Sequence, residues 1–202
     1  MLVGVRIIAG SLGSRRLEAP PGLATRPSSD RLRETLFNVI AAQIEGAVFL
    51  DLYAGSGAVG LEALSRGAAQ VEFVERAAAA LKVLRGNLER LGVGEGFRVH
   101  AAAVAATLRR MVAASETGHQ ATKFDLVFLD PPWDAAEEYA ATLGLLGGSA
   151  AGLLDAGAVV IAEHRKKERL EDRYGSLERT RLLEQGDAAL SFYAARRAAA
   201  QE

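Results

Sequence analysis

The amino-acid sequence predicts an α/β protein built on a doubly wound, mostly parallel β-sheet. Three observations support this fold class. Apolar runs of strand length alternate with segments of helical periodicity from residue 47 to residue 163. Short glycine-containing or polar turns separate them, and half of the 202 residues are hydrophobic, enough for a substantial core. Because a helix follows each strand before the next begins, we expect right-handed crossovers between parallel strands.

The individual elements are predicted from the same patterns, strands from apolar runs and helices from the spacing of apolar residues. The predicted strands cover residues 47–52, 70–74, 97–101, 124–129 and 158–163. The predicted helices cover residues 58–66, 77–91, 104–113 and 136–146. Two further extended runs, 177–183 and 188–194, follow each other without an intervening helix, so we expect an antiparallel hairpin at the edge of the sheet.

The start of the chain predicts a small appendage in front of this domain. Residues 5–9 and 15–19 are short extended runs joined by a glycine-containing turn, which is the pattern of a β-hairpin. A helix should begin near Ser28, because serine is a favoured N-cap residue. We therefore expect a hairpin extension over residues 1–27 and a main domain over residues 28–202.

Composition excludes several classes of site. The chain has no cysteine, which excludes disulfides, thiol nucleophiles and cysteine-ligated metals. Its three histidines have no metal-ligand spacing, so we predict no metal site. No run approaches the roughly 20 apolar residues that span a bilayer, and the N-terminus lacks the pattern of a signal peptide. We therefore expect a cytoplasmic protein that does not contact a membrane.

The charge is balanced overall but unevenly distributed. The net charge of −1 does not by itself indicate a nucleic-acid-binding protein. Between residues 6 and 34, however, six arginines stand against three acidic residues, and between residues 165 and 181 seven basic residues stand against four acidic ones. Such local excesses can follow a phosphate backbone, although a solvated surface explains them equally well.

A glycine-rich turn connects the first strand of the main domain to its first helix. Gly55 and Gly57 permit positive φ and a close approach of the backbone to a ligand, and Glu75, at the end of the next strand, could hold ribose hydroxyls. Residues 55–60 also match the dinucleotide pattern, so NAD and S-adenosylmethionine are both compatible with this turn. Asp51 favours S-adenosylmethionine, because a carboxylate facing the crevice would repel a pyrophosphate and attract the cationic amino group of a methionine moiety. The alternative is that Asp51 only caps the turn.

The tetrapeptide Asp130-Pro131-Pro132-Trp133 follows the predicted strand 124–129, at the end where ligands bind in open α/β sheets. Consecutive prolines stiffen the chain, so the carbonyl of Pro131 should point into the cleft as a fixed acceptor. Together with the Asp130 carboxylate it could bind both hydrogens of one amino group and orient the nitrogen lone pair towards an incoming methyl group. Trp133 offers a flat face for stacking a base. The alternative is that the tetrapeptide is purely structural, with the prolines ending the strand and the tryptophan packed in the core.

These motifs together resemble a known family. In this order, Asp51-Leu-Tyr-Ala-Gly-Ser-Gly, Glu75 and Asp130-Pro-Pro-Trp are similar to class I S-adenosylmethionine-dependent amino-methyltransferases, whose sheet is Rossmann-like. Three further segments resemble the bacterial RsmD family of guanine-N2 methyltransferases of small-subunit ribosomal RNA. They are residues 5–10, 26–38 and 186–193. The Arg-Pro-x-x-Asp-Arg-x-Arg-Glu-x-Leu-Phe-Asn run in the second segment is much more specific than the glycine-rich turn.

The resemblance implies methyl transfer from S-adenosylmethionine to N2 of one guanine in 16S rRNA, on the assembled or nearly assembled small subunit, with S-adenosylhomocysteine as product. It implies the catalytic residues Asp130, Pro131, Pro132 and Trp133. It implies cofactor contacts by Arg26, Asp51, Tyr53, Gly55, Ser56, Gly57, Glu75, Arg76 and Ala102. The hairpin extension should face the RNA, and we expect phosphate contacts from Arg6, Arg15, Arg16, Arg31, Lys166 and Lys167. We expect a monomer that works on the 30S particle.

The sequence departs from the family pattern at two places. Trp133 stands where the family usually has phenylalanine or tyrosine, which preserves stacking but requires a larger pocket. Ala102 and Ala103 stand where a polar residue is expected, so adenine recognition should rest on backbone groups or packing. Arg26, kept extended by the following proline, could pair with the cofactor's carboxylate or a substrate phosphate, or be a solvated arginine.

Other functions stay open at this point. The acceptor could be another RNA, adenine N6 or cytosine N4 in DNA, or a glutamine amide, although aspartate rather than asparagine at position 130 disfavours the glutamine class. An NAD-dependent oxidoreductase would need a proton-relay residue, and none is evident. A non-catalytic RNA-binding module would have no need of the 130–133 tetrapeptide.

Overall fold

The computed structural model describes residues 5–19, 27–117, 122–133 and 135–195. Within these ranges eight strands form one sheet, with helices between the parallel strands. The strands are β1 (Val48–Leu52), β2 (Gln70–Glu75), β3 (Phe97–Ala101), β4 (Phe124–Leu129), β5 (Leu154–Arg165), β6 (Arg173–Tyr174), β7 (Leu177–Gln185) and β8 (Ala188–Ala195). The helices are α1 (Pro27–Val39), α2 (Ala58–Ser65), α3 (Ala78–Leu91), α4 (Val104–Glu116) and α5 (Glu137–Leu146), with a short 3₁₀ turn at Ala151–Leu153.

The strand order is β3-β2-β1-β4-β5-β8-β7-β6, and the first five strands are parallel. The order reverses between β1 and β4, whose ends are in register at Leu52 and Leu129. Ligands of doubly wound sheets bind at such a reversal, outside the carboxyl ends of the strands. The predicted fold class is thus confirmed, and the glycine-rich turn and the 130–133 tetrapeptide leave adjacent strands at this point.

Helices cover both faces of the parallel strands, which explains their continuous apolar runs. Along β4, Leu126 and Phe128 face a core shared with α1, α2 and α3, whereas Val127 and Leu129 face a core shared with α4 and α5. All four side chains are at most 2% exposed. The two cores hold the carboxyl ends of β1 and β4 rigidly beside each other.

The predicted N-terminal hairpin is present and is anchored to α2. The backbone N–H of Ile7 donates to the carbonyl of Arg15, and that of Leu17 donates to the carbonyl of Val5. The fully buried carboxylate of Glu62 accepts the backbone N–H of Ile8 at 2.6 Å. Because the hairpin's apolar side chains join the same core as α1 and α2, it packs as part of the main body; the division of the chain at residue 27 stays a prediction.

Two details of the sheet differ from the sequence expectation. Strand β5 begins at Leu154 rather than at residue 158. Leu154 pairs with Phe124 of β4, the register then shifts across the polar stretch around Asp155 and Gly157, and pairing resumes between Val159 and Leu126. The hairpin of β7 and β8 attaches to β5 through β8, and the short strand β6 forms the outer edge. No helix among the described residues is both long and apolar enough to cross a membrane.

Candidate active site

The glycine-rich turn between β1 and α2 requires residues without side chains. Gly55 has a φ of 55° and Gly57 a φ of 79°, values that other residues rarely adopt. A Cβ atom on Gly57 would lie 2.3 Å from Cδ1 of Leu84, so packing also demands glycine there. A Cβ atom on Gly55 would meet only the carbonyl oxygen of Tyr53, at 3.9 Å. The turn therefore presents bare backbone with free space beside it at the carboxyl end of β1.

Asp51 lies under this turn rather than in the open crevice. Its side chain is 2% exposed, and Oδ2 accepts the backbone N–H of Gly60 at 2.9 Å, in the first turn of α2. Burial, with a smaller contribution from the carboxylates of Asp130 and Glu75, raises the pKa of Asp51 to about 7. The structure thus shows the capping contact, which occupies Oδ2. Contact of Asp51 with the methionine amino group, directly or through water, stays a prediction.

Glu75 ends β2 beside the turn and is held by three backbone amides. Its Oε2 accepts the N–H of Gly55 at 2.9 Å, and its Oε1 accepts the N–H groups of Arg76 and Ala77, both at 2.7 Å. The carboxylate is only partly buried, and of its roughly four lone-pair sites the one left on Oε2 can accept a ligand's hydroxyl group. Glu75 therefore has two uses: it fixes the position of the turn and presents a rigid acceptor at the crevice.

The other predicted cofactor residues surround the same end of the sheet, with one exception. Ala102 follows Ala101, which pairs in register with Glu75, and Arg76 is exposed next to Glu75. The hydroxyl of Tyr53 instead points to α5, where it donates to Oε2 of Glu138 at 2.9 Å. Burial raises the pKa of Tyr53 above its usual value. Arg26 lies outside the described residues.

Asn87 of α3 is a site-supporting residue that the sequence reasoning missed. Its side chain is fully buried, and its Nδ2 donates to the carbonyl of Ser56 at 2.9 Å and to the carbonyl of Glu18 at 3.0 Å. Its Oδ1 accepts the backbone N–H of Glu18 at 2.9 Å. Asn87 therefore ties the hairpin to the glycine-rich turn. The available signal was an amide side chain on the apolar face of an amphipathic helix, beside Leu84 and Leu88.

The tetrapeptide begins where β4 leaves the sheet. Asp130 is partly buried, and no described residue donates a hydrogen bond to its carboxylate. Desolvation raises the pKa of Asp130 to about 7. Pro131 is buried, and no amide of the described residues donates to its carbonyl, whereas the carbonyl of Pro132 accepts the N–H of Ala135 at 2.8 Å. Two neighbouring acceptors, the Asp130 carboxylate and the Pro131 carbonyl, are thus left for a ligand.

Glu163, which adjoins Asp130, and Arg33, whose charge acts on Glu163, were not predicted as site residues. Glu163 follows Ala162, the register partner of Leu129, and therefore stands next to Asp130 at the end of β5. Burial and the charge of Asp130 raise the pKa of Glu163 well above its usual value, while the guanidinium of Arg33 opposes this rise. The Arg33 side chain is only 6% exposed and donates to Oδ1 of Asp30 at 2.9 Å. Arg33 of α1 and Glu163 of β5 are far apart in the sequence, so no local sequence pattern reveals that they interact.

The indole of Trp133 is already covered on one face. The guanidinium carbon of Arg165, the last residue of β5, lies 4.5 Å from the centroid of the Trp133 ring. This cation–π contact occupies a surface that the sequence analysis assigned to the target base. Trp133 is half-buried at the mouth of the site, as a stacking residue requires, but its role in base binding stays a prediction.

The residues predicted to bind RNA lie on two regions that α1 connects. Arg15 and Arg16 are exposed on the hairpin, as is Arg6, whose Nε lies 3.7 Å from Asp30 of α1. Arg31 is exposed on α1 itself. These side chains have the exposure that phosphate contacts need.

The second basic region follows β5. Lys166 and Lys167 are exposed, and Nζ of Lys166 pairs with Glu184 of β7 at 2.7 Å. The next residue, Gln185, accepts a hydrogen bond from Thr35 of α1 at 3.0 Å. Since α1 thus contacts both regions, one extended ligand could reach both of them; RNA binding by these residues stays a prediction.

Comparisons with known proteins agree with this geometry. The "Putative rRNA methyltransferase YlbH" of Bacillus subtilis is 34% identical over 189 residues, which are 94% of this chain and 98% of that protein. The "Ribosomal RNA small subunit methyltransferase D" of Escherichia coli is 40% identical over 129 residues, 64% of this chain and 60% of that protein. A solved structure, "Putative methyltransferase yhhF from Escherichia coli", superposes with a TM-score of 0.78 at 33% identity and covers 94% of this chain and 97% of that one.

A more distant structure shows the fold alone. A methyltransferase complexed with S-adenosylhomocysteine has a TM-score of 0.64 at 12% identity and covers 84% of this chain and 50% of its own. The family model named "Conserved hypothetical protein 95" matches residues 5–194 of the chain. Family membership is therefore shown over nearly the whole length, and the chain belongs to this family, the RsmD family.

Proposed function

We propose that this protein transfers a methyl group from S-adenosylmethionine to the exocyclic N2 amine of a guanine in small-subunit rRNA, on the assembled or nearly assembled subunit. One observation carries the proposal: the Asp130 carboxylate and the Pro131 carbonyl stand free of described donors at the end of β4, beside the glycine-rich turn. The two acceptors could bind the two hydrogens of an exocyclic amino group. The glycine-rich turn could hold the methyl donor beside that group.

The residues around the turn suit S-adenosylmethionine. Beside Gly55 there is free space, and Glu75 offers a fixed carboxylate for the ribose hydroxyls. The negative charges of Glu75 and Asp130 would favour a cationic ligand over a dinucleotide's pyrophosphate. When bound, the cofactor supplies a methyl group activated by a sulfonium. The protein's task is then to aim the acceptor nitrogen and to withdraw charge from it.

Asp130 and Pro131 perform that task in this mechanism. Each accepts one N–H of the target amine, so the nitrogen lone pair is turned away from both acceptors and towards the methyl group. As the N–C bond forms, positive charge develops on the nitrogen, and the Asp130 carboxylate stabilises it. Because burial raises the pKa of Asp130 to about 7, this carboxylate can take the surplus proton from the methylated amine.

The substrate class is inferred from the relatives and the surface. The Escherichia coli and Bacillus subtilis relatives carry rRNA methyltransferase names, and the chain exposes Arg15, Arg16, Arg31 and Lys167 on regions joined by α1. Phosphate contacts from these residues would place an RNA across the end of the sheet. Guanine as the target base follows from the family resemblance.

Mass spectrometry of nucleosides from small-subunit rRNA tests the proposal. Deletion of the gene should remove one N2-methylguanosine, and the wild-type gene should restore it. Glu137→Ala, which removes an exposed carboxylate from the start of α5, should restore it as well, whereas Asp130→Ala should not. Loss of N6-methyladenosine or N4-methylcytidine instead, or of no nucleoside, would contradict the proposed acceptor.

A further inference from the structure

The carboxyl end of β5 carries an arginine beside the tetrapeptide. Strands β4 and β5 are parallel and in register at Leu129 and Ala162. Beyond this point β5 continues to Arg165, paired with β8, while β4 ends. Arg165 extends from β5 towards Trp133, with its guanidinium carbon 4.5 Å from the indole centroid. A permanent positive charge therefore lies at the mouth of the proposed site, next to the acceptors for the target amine.

Among the described residues, this guanidinium has no carboxylate partner, unlike other largely buried arginines. Nε of Arg165 is buried without a hydrogen-bond partner, and no carboxylate of the described residues lies within 4.0 Å of the guanidinium. Arg66 and Arg179, which are also largely buried, each pair with a carboxylate. Leaving a desolvated N–H unsatisfied is unfavourable, so the position suits a ligand that brings its own acceptor.

We infer that Arg165 is a substrate-binding residue that covers the indole face of Trp133 in the free protein and exchanges this contact for a phosphate of the bound nucleic acid. The same indole face cannot hold both a guanidinium and a base. When the target base stacks on this face, it displaces the Arg165 side chain, which stays at the mouth of the site, near the phosphates of the bound RNA. The exchange replaces a cation–π contact with base stacking and a charge-assisted, bidentate Arg–phosphate pair.

The inference rests on the proposed function, because it assigns the site's ligand to nucleic acid. It also explains why the position carries arginine rather than lysine. A planar guanidinium stacks on an aromatic ring and fits a phosphate with two N–H groups, whereas an ammonium does neither as well. The neighbouring Lys166 differs in being exposed and paired with Glu184.

Tryptophan fluorescence tests the covering contact, since Trp133 is the only tryptophan in the chain. Arg165→Ala should uncover the indole, which shifts its emission to longer wavelength and increases quenching by acrylamide. Arg109→Ala, which removes an exposed arginine from α4, should change neither. Identical emission and quenching in the wild type and Arg165→Ala would show that the guanidinium does not cover the ring, and would overturn the inference.

Single-turnover methylation tests the substrate contact, with small-subunit particles from the deletion strain as the probe. Arg165→Ala should raise the particle concentration at half-saturation about tenfold. It should also lower the slope of log affinity against log salt concentration by about one. Arg165→Lys should recover part of the affinity, and calorimetry should find S-adenosylmethionine binding unchanged in both. If Arg165→Ala matches Arg109→Ala in half-saturation and salt slope, Arg165 does not bind the substrate. If the wild type binds the cofactor but methylates no particle, the proposed function fails instead.

Discussion

Replacing Asn87 with alanine should weaken the fold and the cofactor site together, because this side chain joins the hairpin to the glycine-rich turn. The substitution removes three hydrogen bonds to backbone groups, two to Glu18 and one to the carbonyl of Ser56. It also removes a longer bond of 3.2 Å that Nη1 of Arg90 donates to Oδ1. Asn87 is fully buried, so water cannot readily replace the lost donors and acceptor. The damage should therefore appear both in global stability and in the ordering of the turn.

The magnitude follows from the number of bonds. At ~0.5–1.5 kcal/mol for each net hydrogen bond, the three bonds to backbone groups correspond to a loss of about 1.5–4.5 kcal/mol in the free energy of unfolding. The single bond to Ser56 corresponds to a rise of roughly two- to tenfold in the dissociation constant of S-adenosylmethionine. Asn87→Asp should be at least as destabilising as alanine, because it buries a carboxylate against the carbonyls of Glu18 and Ser56.

Urea unfolding and calorimetry with S-adenosylmethionine measure the two effects. Lys82→Ala is the matched control, since it shortens an exposed side chain on the same helix and leaves these bonds intact. If Asn87→Ala unfolds within about 0.5 kcal/mol of this control, the three bonds contribute nothing net. Lower stability with unchanged cofactor affinity would instead show that the bond to Ser56 does not order the turn.

Three further predictions concern cofactor, RNA and pH. Glu75→Ala should weaken S-adenosylmethionine binding by ~1.5–3 kcal/mol, because the ribose loses its acceptor and the backbone N–H of Gly55 loses its hydrogen-bond partner. Unchanged affinity in calorimetry would remove Glu75 from the site. In the same assay the wild type should not bind NAD. Reversing the charges of Arg15 and Arg16 should weaken binding to small-subunit particles. It should also reduce the slope of log affinity against log salt concentration by about one for each lost phosphate contact. An unchanged slope would make them ordinary surface residues. Since burial raises the pKa of Asp130 to about 7, kcat/KM should fall as pH drops below about 7, because a protonated carboxyl cannot take the amine's proton; a flat profile from about pH 5 to about pH 8 would contradict this.

Local patterns were sufficient for most of the fold. Most of the parallel strands are apolar runs, because both of their faces are covered, and strands β3 and β4 have the predicted ends. Strand β5 was predicted too short because the residues around Asp155 and Gly157, where its register with β4 shifts, interrupt the apolar pattern on which the prediction relied. The two-residue strand β6 has no sequence signal of its own, since pairing with β7 alone defines it.

The candidate site was predicted where its residues are contiguous. Asp130 and Pro131 lie at a strand end as expected, and Glu75 borders the turn. Contacts between separate elements could not be read from local patterns. Whether a carboxylate at a strand end meets a helix amide or open space depends on the packing of the next helix, so the capping contact of Asp51 could not be chosen from the sequence alone. The cover of Trp133 by Arg165 depends likewise on the register of β4 and β5.

The proposed mechanism depends most on Asp130, which accepts a hydrogen bond from the target amine and supports methyl transfer to it. Single-turnover methylation of small-subunit particles by Asp130→Ala, with S-adenosylmethionine affinity measured in parallel and Glu137→Ala as the control, tests this role most directly. We expect a rate loss on the order of 10²-fold or more, as for removal of one preorganised electrostatic group, with nearly unchanged cofactor affinity. A rate for Asp130→Ala close to that of Glu137→Ala would contradict the mechanism.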